Sequence, residues 1–219
     1  AKVLQKELTK AANQLVIEHR FFRTSRPAAI ADWAFLTIEQ AAADHHLIAT
    51  VMHRLYGGPF LETGASKGGM TSIYHRRFWP DDVDVTLAYV APISFAAPDY
   101  RYEPYLEGIG PADCKASLRA VQAEMLTNRR AALQTRASAE ATQEGRSYTR
   151  ITLPAAVESA VVSLEWAFWQ YVGAGSCASI PPVTASDDTL FAFLQAVSEV
   201  GGSDDANLAE FEAYYYQAE

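Results

Sequence analysis

The first ninety residues alternate between short apolar segments and amphipathic ones. Three apolar segments rich in β-branched and aromatic residues are predicted strands: 13–22, 60–63 and 84–91. A capping pair at Thr37 and Gln40, followed by apolar residues at i, i+3, i+4 and i+7 spacing, predicts a helix that ends at Gly57. A second helix is predicted from Lys67 to about Phe78. Because strands that alternate with helices are typical of parallel sheets, we expect an α/β fold here.

The pattern changes after Pro92, where an irregular segment rich in proline and tyrosine gives way to helical periodicity. Four helices are predicted in this part of the chain: 113–144, 154–171, from Ser186 to Gly201, and 205–216. We therefore predict two parts, a partial α/β core over residues 1–95 and a mainly helical cap or lid over residues 96–219.

The candidate chemistry lies at the junction between the second predicted strand and the helix that follows it. Residues 64–68, Gly-Ala-Ser-Lys-Gly, match the G-x-S-x-G pattern of a nucleophile elbow. This pattern predicts that Ser66 is a nucleophile and that the backbone N–H of Lys67 belongs to an oxyanion hole. Two alternatives are a glycine-rich turn that binds an anion and a Ser–Lys dyad, although adjacent side chains on a sharp turn point apart.

The histidines do not complete this site. In enzymes with a nucleophile elbow, the catalytic acid and the catalytic histidine follow the serine in the sequence. In this chain the last histidine is His75, only nine residues after Ser66. His75 would lie about 13 Å from Ser66 along the predicted helix axis. His46 and His53 lie seven apart without an H-E-x-x-H pattern, so we predict neither a metal nor another cofactor.

Composition narrows the possible partners. The 219 residues are 49% hydrophobic and carry a net charge of −8, which argues against nucleic acid and anionic membranes as partners. No apolar segment is long enough to span a membrane, and no signal peptide opens the chain, which favours a cytosolic, processed or fragmentary protein. Cys114 and Cys177 are too few for a disulfide scaffold, and both buried thiols and a single disulfide are compatible with their number.

The chain resembles the secreted bacterial prolyl tripeptidyl aminopeptidases, which are serine peptidases with an α/β-hydrolase fold and a helical cap. The resemblance extends from residue 13 to the end of the chain and is most specific at the Ser66 turn and its helix. The segments that carry it are Asn13–Phe22, Ser25–Pro27, Gln40–Asp44, Gly64–Thr71, Tyr74–Pro80, Ala88–Pro92, Trp166–Tyr171 and Tyr214–Gln217.

This resemblance implies that Ser66 is the nucleophile of an exopeptidase that releases short peptides from free N-termini, with a preference for proline before the scissile bond. It also implies a secreted protein in which Cys114 and Cys177 are paired. The acid and the histidine of these enzymes follow the cap, so we expect this chain to be the middle of a longer polypeptide whose remainder is its partner.

Two other functions remain open at this point. The same turn could serve an esterase or another acyl hydrolase. Alternatively, the chain could be a catalytically silent relative whose helical part is a binding module, which would require no further catalytic residues. The sequence does not identify any substrate-binding residue.

Overall fold

The computed structural model describes residues 12–28 and 33–218. The chain divides into two compact units, Ala1–Asp99 together with Phe211–Glu219, and Tyr100–Glu210. Helices predominate and a small parallel sheet lies in the first unit, so the predicted α/β class is correct in its coarse form. The assignment of residues 1–95 as a core and 96–219 as a cap stays a prediction.

The first unit is built around a strand–helix–strand crossover. Strands β1 (Leu61–Ala65) and β2 (Val85–Tyr89) pair in parallel, with Leu61 opposite Val85 and Ala65 opposite Tyr89. Helix α1 (Ile38–Leu55) precedes β1, and helix α2 (Lys67–Phe78) connects the two strands. Helix α2 packs against both strands and against α1. The turn between β1 and α2 lies at the carboxyl end of β1.

Helix α1 begins where the sequence predicts, but only half of the expected capping box forms. The Thr37 side chain accepts a hydrogen bond from the backbone N–H of Gln40 at 3.1 Å. The Gln40 side chain instead accepts from Arg20 Nη1 at 2.5 Å. Arg20 also donates to both carboxylate oxygens of Asp44, at 2.6 and 2.7 Å. Arg20 therefore fixes the segment before α1 to the first two turns of the helix.

The predicted strand at 13–22 is wrong. This segment is irregular up to His19, turns at Phe21 with φ 66°, and continues into a 3₁₀ turn at Arg23–Ser25. A strand needs a neighbour to complete its hydrogen bonds, and within the described ranges β1 and β2 pair only with each other. The segment is held by its side chains instead, because Phe21 is buried in a cluster with Leu36.

The second unit consists of helices around one main apolar cluster. Its α-helices are α3 (Tyr102–Gly108), α4 (Ala112–Thr127), α5 (Arg130–Glu144), α6 (Leu153–Val162), α7 (Leu164–Ala167), α8 (Asp187–Ser198) and α9 (Asp205–Glu210). A π-helical turn follows α7 at Phe168–Val172, and 3₁₀ turns lie at Ala174–Ser179 and Val200–Ser203. Leu133, Leu164 and Leu194 have no exposed surface in this core. None of the helices described here combines the length and apolar content that a membrane crossing requires.

The long helix predicted over 113–144 is divided into α4 and α5. The backbone N–H groups of Asn128 and Arg129 both donate to the Glu124 carbonyl at 3.0 Å, which ends α4. The Arg129 side chain also donates to the Glu124 carboxylate at 2.7 Å. The break allows α5, like α4, to pack against α6, whereas an uninterrupted helix would carry its second half away from the apolar cluster.

One covalent bond links α4 to the turn at Ala174–Ser179. Cys114 and Cys177 form a disulfide with a Cα–Cα distance of 5.5 Å, which is the pairing that the resemblance implies. Cys114 packs beside the fully buried Leu118 and Phe168. The bond therefore joins two segments that also share an apolar cluster.

Arginines on the surface of the second unit are shared between several carboxylates. Arg146 bonds to Glu144 at 2.5 Å and to the buried Asp204 at 3.1 Å, and its third carboxylate, Glu199, lies 3.5 Å away. Such networks hold the loop after α5 close to the start of α9. A neighbouring carboxylate, Asp205, accepts hydrogen bonds from two backbone N–H groups and one hydroxyl of residues 149–150.

The last helix, α10 (Glu212–Ala218), belongs to the first unit. Ala213 is fully buried beside Phe21, and the Tyr216 ring stacks on Trp33 with 5.1 Å between ring centroids. Arg26 forms an ion pair with Glu212. Helix α10 therefore packs on the irregular segment that precedes α1.

Candidate active site

Ser66 lies exposed at the junction of β1 and α2. Its backbone has φ 54° and ψ −123°, a combination that residues with a side chain rarely adopt. The Ser66 N–H donates to the Tyr89 carbonyl at the end of β2, at 3.0 Å, which fixes the turn to the neighbouring strand. A strained, exposed serine between a strand and a helix has the local geometry of a nucleophile elbow.

At two positions in this turn there is no room for a side chain, so only glycine fits. A Cβ atom on Gly64 would lie 2.3 Å from the backbone carbon of Gly68, and one on Gly69 would lie 2.8 Å from the Tyr89 carbonyl oxygen. A Cβ atom on Gly68 would meet nothing within 4 Å. The close approach of β1 and α2 therefore depends on Gly64 and Gly69 and not on Gly68.

Lys67 is the first residue of α2, so its backbone N–H has no acceptor within the helix. This N–H group and the positive end of the helix dipole lie beside Ser66. The Lys67 ammonium is directed elsewhere, because it donates to the Gln217 side chain on α10 and lies 5.4 Å from the centre of the Phe22 ring. Burial lowers the pKa of Lys67 to about 8. These contacts do not support the alternative of a Ser–Lys dyad.

Within the part of the chain that the structure describes, no histidine contacts the Ser66 hydroxyl. All five histidines lie in that part, and each ring is engaged with other groups. His19 Nδ1 lies 3.4 Å from the Thr71 hydroxyl. Burial, reinforced by the Lys67 charge, lowers the pKa of His19 to about 4, so its ring is neutral at pH 7.

A group of histidines and carboxylates lies near the amino end of β1. Its centre is His75 of α2, whose side chain is only 2% exposed. His75 Nδ1 lies 2.8 Å from Glu62 Oε2, and its Nε2 lies 2.8 Å from Asp82 Oδ2. Helix α1 adds His45, 2.7 Å from Glu62, and His46, 2.6 Å from Asp82. We call these five residues the histidine–carboxylate cluster.

The cluster shifts the pKa of its central groups. Burial alone would lower the pKa of His75, but its hydrogen bonds to Glu62 and Asp82 outweigh burial and raise that pKa. Burial alone would raise the pKa of Glu62, but hydrogen bonds from His45 and His75 outweigh it and lower that pKa. Both shifts favour the charged forms.

The cluster also has the composition of a metal site, which the spacing of histidines in the sequence does not reveal. His45, Glu62 and His75 offer ligand atoms that lie within 4.8 Å of one another. Two ligands at about 2.0 Å from a tetrahedral zinc ion would lie roughly 3.3 Å apart. The observed nitrogen–oxygen distances of 2.7 and 2.8 Å are shorter, and they are the distances of direct hydrogen bonds.

Comparison with known proteins places the chain in a family. The model of the family described as PS-10 peptidase S37 matches residues 5–219. The chain belongs to the PS-10 peptidase S37 family. This S37 chain is 40% identical over 208 residues to a prolyl tri/tetrapeptidyl aminopeptidase of Streptomyces mobaraensis, and the match covers 94% of this chain and 43% of that relative. The resemblance to prolyl aminopeptidases is thereby confirmed, and the chain spans less than half the length of the relative. No solved structure is significantly similar to this S37 chain.

The amino-acid sequence of this S37 peptidase chain predicts the Ser66 turn but not the histidine–carboxylate cluster. Glu62 interrupts a short apolar strand, and a carboxylate in such a position is seldom buried unless it is paired. That single charge is the signal from which a buried partner could be predicted. The identity of the partners depends on how α1 and α2 pack, and no spacing along the chain encodes this.

Proposed function

We propose that this chain carries the nucleophile of a serine exopeptidase with an α/β-hydrolase fold. The observation that supports the proposal best is the backbone of Ser66, which is exposed and strained at φ 54° between a parallel strand and a helix. Strain of this kind costs of order 1–3 kcal/mol and clusters at active sites. Membership in a peptidase family supports the same reaction class.

In the proposed reaction the Ser66 hydroxyl attacks the carbonyl carbon of the scissile peptide bond. A general base takes its proton and returns it to the leaving amine, which leaves an acyl-enzyme that water then hydrolyses. The backbone N–H of Lys67 donates to the oxyanion, aided by the positive end of α2. We assign the histidine and the aspartate of the triad to sequence outside this chain, consistent with its coverage of 43% of the relative.

The relative's name supports a proposal for the substrate class. The S. mobaraensis relative is named a prolyl tri/tetrapeptidyl aminopeptidase. By analogy, we propose that the enzyme of this chain releases short peptides from free N-termini and cleaves after proline. Residues 1–95 would form part of the hydrolase core and residues 96–219 a helical cap. The Cys114–Cys177 disulfide supports secretion, because such bonds persist in oxidising compartments.

Active-site labelling tests the nucleophile. The full-length protein is treated with a fluorescent fluorophosphonate, and wild type is compared with Ser66→Ala and with Ser138→Ala, a control that removes an exposed hydroxyl from α5. We expect labelling of wild type and Ser138→Ala and none of Ser66→Ala. Equal labelling of all three proteins would reject Ser66 as the nucleophile.

Substrate assays separate the peptidase from the two alternatives. Ala-Ala-Pro-p-nitroanilide is offered with a free amino end and with an acetylated one, and p-nitrophenyl acetate is offered as an ester. Rapid cleavage of the free peptide and slow cleavage of the blocked one support the exopeptidase. Cleavage of the ester alone identifies an esterase, and cleavage of none identifies a silent relative.

A further inference from the structure

The environment of His75 determines its protonation state. Each of its two ring nitrogens lies 2.8 Å from a carboxylate oxygen, Nδ1 from Glu62 and Nε2 from Asp82. Neither carboxylate has a proton to donate when it is ionised, and a neutral imidazole carries only one N–H. A neutral His75 would therefore direct a nitrogen lone pair at a carboxylate in a buried site. Both contacts are satisfied only when both nitrogens carry hydrogen, that is, by an imidazolium.

The position of this cation relative to Ser66 is the second observation. Glu62 lies in β1, four residues before Ser66, and His75 lies in α2, nine residues after it. The hydrogen bond between Glu62 and His75 thus links β1 to α2, and we call these two elements the arms of the Ser66 turn. Asp82, in the connection from α2 to β2, bonds to the opposite side of the His75 ring. His45 and His46 extend the same set of bonds to α1.

We propose that His75 is a buried imidazolium that holds β1 and α2 together and acts as a positioning residue for the Ser66 hydroxyl. The proposal rests on the proposed nucleophilic role of Ser66. The strained conformation of Ser66 persists only while its surroundings impose it. Because Gly64 and Gly68 are in close contact, any separation of the two arms moves the serine between them. A displacement of about 1 Å at a reacting group can reduce the rate about 100-fold.

The proposal implies two pH limits for the cluster. Glu62 and Asp82 bond to His75, and the His45 ring lies 5.7 Å from the His75 ring. His46 bonds to Asp82, and the ring of His19 lies 5.6 Å from that of His45. The raised pKa of His75 means that its contribution is complete below the ordinary value of 6.5 and is lost as the pH rises through the folded value. The lowered pKa of Glu62 means that its contribution is complete above 4.5 and is lost as the pH falls through the folded value.

The first experiment observes the imidazolium directly. Full-length protein is labelled with ¹⁵N-histidine, and the ring nitrogens of His75 are assigned by comparison with His75→Gln. At pH 6.5, the ordinary pKa of histidine, we expect both nitrogens to show the protonated shift, whereas half of free histidine is then neutral. One protonated and one bare nitrogen would overturn the proposal. One bound metal ion per chain, detected by elemental mass spectrometry and absent from His75→Gln, would also overturn it and identify a metal site.

The second experiment measures positioning. His75→Gln is compared with Arg77→Gln, which removes a positive charge from an exposed position on the same helix. We expect fluorophosphonate labelling and kcat to fall about 100-fold in His75→Gln, with KM changed less than about twofold. We expect Arg77→Gln to behave like wild type. Adding Glu62→Gln to His75→Gln should restore part of the rate, because the two neutral amides can hydrogen-bond to each other and to Asp82.

A further variant provides a test if His75→Gln does not fold. Asp82→Asn removes one carboxylate from the imidazolium, so the loss of labelling at alkaline pH should begin at a lower pH than in wild type. An unchanged alkaline limit would overturn the proposal. Failure of the proposed function is distinguishable, because it requires Ser66→Ala to label like wild type. Normal labelling of His75→Gln, in an enzyme whose Ser66→Ala variant does not label, overturns the positioning role alone.

Discussion

Replacing Gly64 by alanine should damage the Ser66 turn, whereas the same change at Gly68 should not. The two glycines flank the serine at equal distance in the sequence, and both belong to the motif. Their surroundings differ, because a Cβ atom on Gly64 would lie 2.3 Å from the Gly68 backbone carbon and 2.4 Å from its oxygen. A Cβ atom on Gly68 would meet nothing within 4 Å.

The structure indicates the size of the effect. Ordinary contacts of a Cβ atom begin near 3.4 Å, so the methyl group of Gly64→Ala requires β1 and α2 to separate by about 1 Å. The obstructing atoms belong to the helix backbone and cannot rotate away. Overpacking costs about 1–3 kcal/mol, and we expect about 3 kcal/mol here because the contact is rigid. Gly68→Ala should raise the free energy of unfolding by about 0.5 kcal/mol, since alanine restricts the unfolded chain.

Urea denaturation of the full-length variants, followed by circular dichroism, measures the free energy of unfolding, and fluorophosphonate labelling measures the reactivity of Ser66. We expect Gly64→Ala to unfold at lower urea concentration and to label about 100-fold more slowly, because the hydroxyl is displaced by about 1 Å. Gly68→Ala should label at the wild-type rate. If the two variants are equally stable and equally reactive, the reasoning from steric contact at Gly64 is wrong.

Three further changes test other parts of the structure. Replacing Cys114 and Cys177 by alanine should lower the free energy of unfolding by about 4 kcal/mol, because the disulfide closes a loop with a sequence separation of 63. Denaturation with and without a reductant measures this difference, and the reductant should not affect the double variant. Asp205→Asn should lower the thermal midpoint at pH 7, because hydrogen bonds, first that from the Arg150 N–H, lower the pKa of Asp205 to about 2. The difference in midpoint between wild type and variant should vanish as the pH falls from 3.8 to about 2, which a pH series of melting curves measures. Leu118→Ala should lower the free energy of unfolding by about 3 kcal/mol, since this side chain is fully buried; a loss below about 1 kcal/mol in urea denaturation would contradict that estimate.

The sequence predicts the crossover around Ser66 well because its signals are local. Thr37 caps α1, the elbow motif separates β1 from α2, and apolar periodicity distinguishes the helices from the strands. The bounds of α2 are those predicted, from Lys67 to Phe78. These features depend on residues within one or two turns of each other, which is the range over which capping and periodicity act.

The failures concern contacts between distant residues. Residues 13–22 have the composition of a strand, but strand formation depends on a neighbour that composition does not specify. The helix predicted over 113–144 is continuous in its periodicity, and it breaks at Asn128 because both halves must reach the same apolar cluster. The partners of Glu62 lie 13 and 17 residues away on two helices, so only their packing brings the histidine–carboxylate cluster together.

The shared arginines of the helical unit limit the order in which its surface can change during evolution. Loss of Glu144 or Glu199 removes one of three carboxylates and leaves Arg146 paired with Asp204. Loss of Arg146 leaves three carboxylates without their common cation, and the buried Asp204 then keeps only its hydrogen bonds from Asn207 to offset the cost of burial. Acidic positions around such an arginine should therefore diverge first among descendants of this chain, and the arginine should change only after its acids have been replaced.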